Sequence, residues 1–302
     1  MDSFVDAPQR SLEHEVGRLK RLQAEGLPAE ALELADALLR DHPENRDLLL
    51  ARAFSLRHLG RIPDALATLD RLQALQPRFS RQYEERGLCK VALKDAPGSI
   101  DALLRAVNLN PAMPVSWRML EGVYRLTGDA ENAATAAAHV ATLRALPPEV
   151  VAGTSLFADG ELGPAEQMIR GFLLRHGDHP EAMRLLARIG MARDVLDDAE
   201  VLLEAVLELE PDHRPARYDY LQCLLQRHKY AAAREQAARL LTLDPRSLDY
   251  RSAAATAAVG LGDNEAAIAI YQDMLADAPD AADIHLWLGH ALKTLGRAAE
   301  AI

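Results

Sequence analysis

One arrangement of small, apolar and turn-forming positions recurs through the whole chain. A small residue returns at Ala31, Ala65, Ser99, Ala133, Ala165, Ala199, Ala233, Ala267 and Ala301, always 34 residues on except for the step of 32 between Ala133 and Ala165. With that residue as position 20 of each repeat, positions 4, 7, 8 and 11 fall within about 100° of one another at helical periodicity, which predicts a helix A with one apolar stripe. A glycine stands five residues before the small residue at Gly26, Gly60, Gly128, Gly160, Gly262 and Gly296. Glycine accepts the left-handed backbone that ends a helix, so it closes helix A. The small residue then lies in the first turns of a helix B, where a bare methyl lets the two helices approach closely. Prolines twelve residues later, at Pro43, Pro77, Pro111, Pro211, Pro245 and Pro279, cannot continue helix B and stop it. Stretches such as GRIPDAL and GDNEAAI carry the turn, an acid near the new helix N-terminus and the small contact residue together.

The order aromatic, leucine-glycine, tyrosine, alanine and proline at these offsets resembles the tetratricopeptide repeat. Repeats start at residues 12, 46, 80, 114, 146, 180, 214 and 248, after an N-terminal arm over 1–11, and an incomplete ninth spans 282–302. Trp117, Leu120 and Tyr124 in the fourth repeat, and Leu288 with Gly289 in the last, stand where the signature wants them. Departures are frequent: Glu121 replaces a small residue, Arg217 and Arg251 replace the first aromatic, and Gly190 replaces a tyrosine. The resemblance implies an all-α fold, a right-handed superhelix of antiparallel helix pairs (an α-solenoid) with A helices along its inner face. One break in phase, LRALPPEVVAG, lacks two residues and carries Pro147 and Pro148. It reads either as drift in a tolerant loop or as a kink between residues 12–145 and 146–281.

Composition agrees with that class. Hydrophobic residues make up 49% of the chain and aromatic ones only 5%, a balance that favours packed helices over strands. A formal net charge of −11 opposes binding to nucleic acid. Nothing approaches 18 uninterrupted apolar residues, and the first residues have no basic stretch followed by an apolar one, so no membrane association is expected and the chain reads as cytoplasmic. Cys89 and Cys223 are too few for a disulfide framework and read as small buried hydrophobes.

Positions 2, 5, 6, 9, 12 and 13 form the other stripe of helix A, and line the groove in members of the family. They place Arg118 and Arg125 in the fourth repeat, Val150, Thr154 and Phe157 in the fifth, Arg184 and Arg188 in the sixth, and Tyr218 and Gln222 in the seventh. A basic rim around an apolar floor suits a protein or extended peptide that carries acidic residues, because guanidinium pairs with carboxylate at two points. The plainer alternative is that these arginines are solvated or paired with Glu84, Glu85 and Glu181. Reversing Arg184 and Arg188 to Glu is expected to abolish capture of an acidic partner with little loss of thermal stability. No three successive A helices supply the Lys and Asn pattern by which some family members clamp a terminal carboxylate.

Chemistry is absent from the pattern. His176 and His179 with Asp178 make an incomplete metal set, His285 and His290 sit on different helix faces, and Asp197 with Asp198 reads as helix-start charge. No catalytic residue, metal ligand or cofactor site is expected. The last residues, HLWLGHALKTLGRAAEAI, end on a helix without its partner, so the natural polypeptide is expected to continue, with self-association through the unfinished face as another possibility. Together with FADGELGPAEQMIRGFLLRHGDHPEAMRLLARIGMA they resemble the repeat region of bacterial tetratricopeptide repeat sulfotransferases, over residues 150–302. That resemblance implies an alternative role as a substrate-holding arm of an enzyme that uses 3′-phosphoadenosine 5′-phosphosulfate, its catalytic domain lying outside this chain.

Overall fold

A computed structural model describes residues 7–300, and every regular element among them is helical. The chain divides into two compact lobes, residues 1–161 and 162–302. The N-terminal lobe holds α1 (Ala7–Ala24), α2 (Pro28–Asp41), α3 (Arg46–His58), α4 (Ile62–Leu75), α5 (Ser80–Ala92), α6 (Ala96–Leu109), α7 (Pro114–Thr127), α8 (Ala130–Arg144) and α9 (Pro148–Ala158). The C-terminal lobe holds α10 (Leu162–His176), α11 (Pro180–Ala192), α12 (Leu196–Leu209), α13 (Arg214–Gln226), α14 (Tyr230–Leu243), α15 (Leu248–Gly260), α16 (Asn264–Asp277) and α17 (Ala282–Thr294), then a short 3-10 turn at Ala298–Glu300. Consecutive helices pack on one another from α1 to α8 and again from α10 to α17, and alternate helices α3, α5 and α7, like α11, α13 and α15, meet side by side. This is the stacking of an α-solenoid.

Each A helix ends by the same device. The residue five before the small residue has a positive φ at all nine turns, between +57° and +79°. Six are the glycines; the other three are Lys94, Asp194 and His228. The following residue donates its N–H to the carbonyl five positions back, as Arg61 does to Leu56, and the turn residue donates three back, as Gly60 does to Arg57. These bonds satisfy carbonyls that the helix end would leave open. Two bonds per turn therefore fix where helix B starts, and the small residue that follows is buried in all eight repeats where it is described. Ser99 keeps the pattern by donating its hydroxyl to the carbonyl of Gly87 at 3.2 Å.

At the first signature position the loss of the aromatic has a hydrogen-bonding explanation. At position 4, Tyr83, Trp117, Arg217 and His285 all bond the carbonyl of the proline six residues earlier, in Pro77, Pro111, Pro211 and Pro279. A tyrosine hydroxyl, an indole N–H, a guanidinium and an imidazole serve the same carbonyl, so the site selects a donor of suitable reach rather than an aromatic ring. Arg251, in the same position, is buried and instead meets the carbonyl of Arg246 and the carboxylates of Asp273 and Asp277. Around these bonds the core is mostly aliphatic, with Leu48, Leu56, Leu69, Leu103 and Leu120 fully buried in the first lobe and Leu203 and Leu221 in the second. Each contributes about 1.5–3 kcal/mol relative to exposure.

Candidate functional site

The division between lobes falls inside the expected fifth repeat, so its two helices, α9 and α10, belong to different lobes. Nor does α9 pack along α8, as a further A helix would. Instead it runs back across the ends of its own lobe. Asn110, at the end of α6 and just ahead of α7, gives its amide to the carbonyl and hydroxyl of Ser155 at 3.1 and 2.9 Å. Asp159 takes the backbone N–H and the hydroxyl of Ser80, the first residue of α5, at 3.2 and 2.5 Å. Glu161 takes Arg46, the first residue of α3, at 3.0 Å. The three residues thus meet the starts of three A helices in reverse order.

Electrostatics explain the choice. The residue before α5, Phe79, offers no capping side chain, and the carboxylate of Asp159 fills that role from a distant part of the chain, where the helix dipole favours negative charge. Arg81 adds a contact to each acid, 3.2 Å to Asp159 and 3.8 Å to Glu161. The side chain of Asp159 is 0% exposed. Arg46 also lies over the ring of Phe79 at 4.4 Å, which fixes the guanidinium for Glu161. Deeper in the same lobe Glu84 accepts the hydroxyl of Ser116 at 2.6 Å, yet burial still pushes its carboxyl above the ordinary range.

In the C-terminal lobe the A helices present a different surface. A cavity of about 440 Å³ is lined by Tyr218, Gln222, Leu225 and Gln226 of α13 and by Asp249, Ser252, Ala253 and Thr256 of α15. All eight belong to the stripe opposite the B helices, and their groups are mainly amides, hydroxyls and small apolar surfaces. The Tyr218 and Tyr250 rings stand 5.6 Å apart at its edge. Burial, then the nearby charge of Asp249, raises the Tyr218 hydroxyl above its usual pKa, so it stays a hydrogen-bond donor. Beside it, Arg184 of α11 joins Asp219 at 2.6 Å and Glu181 at 3.0 Å. His213 closes this cluster: its Nδ1 accepts the N–H of Ala216, which leaves Nε2 to donate to Glu181 at 3.0 Å.

Two sequence profiles described as tetratricopeptide repeat match residues 22–84 and 191–257, and 55–114 and 252–302, together about two-thirds of the chain. The chain belongs to the tetratricopeptide repeat family. No curated protein matches it. Among solved structures, a chain of the APC/C hetero-tetramer Cut9-Hcn1 is similar at 15% identity and TM-score 0.46, covering 96% of this chain and 57% of that one. The Naa15/Naa10 complex bound to HypK-THB gives 17% identity and TM-score 0.41, covering 90% and 43%. A tetratricopeptide repeat protein from Parabacteroides merdae gives 14% identity and TM-score 0.39, covering 94% and 99%. This chain therefore spans about half the length of the first two, and at such identities the likeness concerns the fold.

The tetratricopeptide pattern places the other expected groove residues as follows. Arg118 and Arg125 are exposed on α7; Arg118 bonds the carbonyl of Pro114 in its own helix, and Arg125 pairs with Glu121 at 2.6 Å. Val150 is buried in α9, while Thr154 and Phe157 are half-buried on it. Arg184 has the carboxylate partners just described, and burial lowers the pKa of Arg188, with the charge of Asp219 opposing that shift. A glutamate at 184 would therefore stand against Asp219 and Glu181, so the charge reversal that sequence alone expected to spare stability is costly. Sequence reasoning missed Arg46, Ser80, Arg81, Asn110, Ser155, Asp159 and Glu161; the two-residue phase break beside Pro147 and Pro148 was the available signal. Among the described residues no group of three His, Cys, Asp or Glu could hold a metal, and no helix is long and apolar enough to cross a membrane.

Proposed function

We propose that the chain is a cytoplasmic scaffold that binds a protein, through an extended segment, on the A-helix face of its C-terminal lobe. The observation that supports this reading best is the cavity of about 440 Å³ between α13 and α15, lined by hydrogen-bond donors and acceptors. Gln222, Gln226, Ser252 and Thr256 suit the N–H and C=O groups of an extended backbone, which recur in any sequence. Tyr218 adds a large amphipathic contact of the kind that anchors interfaces. On the preceding A helix Arg184 is already paired with Asp219 and Glu181, so a carboxylate at one end of the segment would share Arg184 and Arg188 with those acids.

Panning a random peptide library on the full chain tests this. A selected peptide should lose at least tenfold in affinity, about 1.4 kcal/mol, with Tyr218→Ala combined with Gln222→Ala, and nothing with Arg105→Ala on the B-helix side. Equal binding by both variants would remove the site. Enrichment of Asp or Glu at one end supports the acidic part of the reading, and selection of neutral peptides removes it. The alternative role as the arm of a sulfotransferase is supported by the resemblance over residues 150–302 alone.

A further inference from the structure

The cavity between α13 and α15 carries a charge that hydrogen bonding to a peptide backbone leaves unused. Of the eight residues that line it, Asp249 alone is charged at neutral pH. Its side chain is exposed in the first turn of α15 and takes part in none of the ion pairs among the described residues. The neighbouring acids of the same face differ, since Glu181 and Asp219 are both committed to Arg184. Helix-start charge accounts for an acid at this position. It does not account for the aromatic surface beside it.

That surface is made by Tyr218 and Tyr250. Their ring centroids lie 5.6 Å apart with the planes inclined at 49°. Both side chains pack against the core of the lobe yet remain half-buried, so part of each ring is open to a ligand. The charge of Asp249 acts on the Tyr218 hydroxyl, and Gln222 bonds the same hydroxyl, so the ring and the acid are held as neighbours. An aromatic ring attracts a cation to its face, and a carboxylate next to it supplies the counter-charge.

A guanidinium meets both demands. Its plane stacks on a tyrosine ring while its edge pairs with a carboxylate at two points, and its other N–H groups suit the oxygens of Gln222, Ser252 and Thr256. An ammonium could pair with Asp249 but has no plane to stack. The net charge of −11 on the whole chain draws a basic segment toward it. Because α13 packs against both α11 and α15, Arg184 and Arg188 stand across α13 from Asp249, which keeps an incoming base clear of their repulsion.

We propose that the cavity between α13 and α15 binds an arginine side chain of the partner segment, its guanidinium lying against the Tyr218 and Tyr250 rings and paired with Asp249. This rests on the reading of the groove given above and adds to it the chemistry and direction of the segment, with the arginine over α15 and any acidic end toward α11.

Panning one random peptide library in parallel on the native full chain and on Asp249→Asn tests it. Peptides taken by the native chain should carry arginine at one fixed position. Each should lose affinity about fivefold or more when that arginine is replaced by glutamine, a change read on the native chain and so independent of whether any variant folds. Asp249→Asn should cause the same loss, and the two changes together no more than either alone. Asp249→Arg should select Asp or Glu at that position instead. Tyr250→Leu should weaken binding about threefold, and Tyr250→Phe should leave it unchanged. Peptides that need Tyr218 and Gln222 but select no arginine, accept lysine equally well, or lose as much from the glutamine replacement on Asp249→Asn as on the native chain, overturn the arginine site while the groove stands. Peptides indifferent to Tyr218→Ala combined with Gln222→Ala remove the groove and the arginine site with it.

Discussion

Lys94→Gly should stabilise the protein, and its size can be worked from the backbone. Lys94 occupies the turn position with φ +59°, where six other repeats have glycine. A residue with a Cβ pays about 1–2 kcal/mol in that region. Glycine offsets part of the gain, about 0.4–1 kcal/mol, through the greater freedom of the unfolded chain. The net expectation is about 0.5–1 kcal/mol in favour of glycine, or roughly 1–3 °C in Tm for a lobe of this size. The reverse change is equally clean at Gly60, where an added Cβ would have nothing within 4 Å, so Gly60→Ala should cost about the same amount through conformation alone. Asp194→Gly should gain less, because aspartate tolerates this backbone better, and His228→Gly less again, because His228 meets the Tyr230 hydroxyl at 2.6 Å. Urea unfolding followed by circular dichroism measures all four. A destabilised Lys94→Gly, or a neutral Gly60→Ala, would refute the claim that left-handed turns set the repeat.

Three further outcomes follow from burial. Glu84→Gln should stabilise the fold at pH 7, since burial raises the folded carboxyl and its ionisation therefore costs stability above the unfolded value of 4.5; the advantage over the native protein should shrink as pH falls below about 4, which thermal melts across pH would record. Burial pushes the thiols of Cys89 and Cys223 up to about 12 and about 11, so the folded chain keeps protons that the unfolded chain releases near 9; stability should fall between pH 9 and 11, less so in Cys89→Ala, and a thiol reagent at pH 8 should label neither cysteine before unfolding. Gly87→Ala should cost about 1–3 kcal/mol by overpacking, because its Cβ would lie 2.6 Å from Cγ of the fully buried Leu103; calorimetry checks it, and a loss below 0.5 kcal/mol would show that the α5 and α6 pair yields.

Local features were the legible part of the sequence. Seven A helices open at Arg46, Ser80, Pro114, Pro180, Arg214, Leu248 and Ala282, in step with the period, because six of them follow a proline-stopped helix, the one at Pro180 follows the left-handed Gly177, and each ends in a two-bond turn. Even α9 obeys those rules at Gly160. What period could not tell is where a correctly formed helix goes. The position of α9 depends on pairings between residues as distant as Arg46 and Glu161, and the missing two residues mark only that something changes there. Turn chemistry hid Lys94, Asp194 and His228 for the opposite reason: hydrogen bonds hold a strained residue in place, so the position lacks its glycine while the geometry persists. The arginines illustrate a third limit. Arg184 reads as a free cation in sequence, but Asp219 lies 35 residues away and adjoins it only after stacking.

The central claim is that the A-helix face of α13 and α15 receives a partner segment. Hydrogen exchange on the full chain with and without a saturating library-selected peptide tests it most directly. Slower exchange concentrated in residues 218–226 and 249–256 is the predicted result. Protection confined to the B helices α14 and α16, with α13 and α15 unchanged, would contradict it.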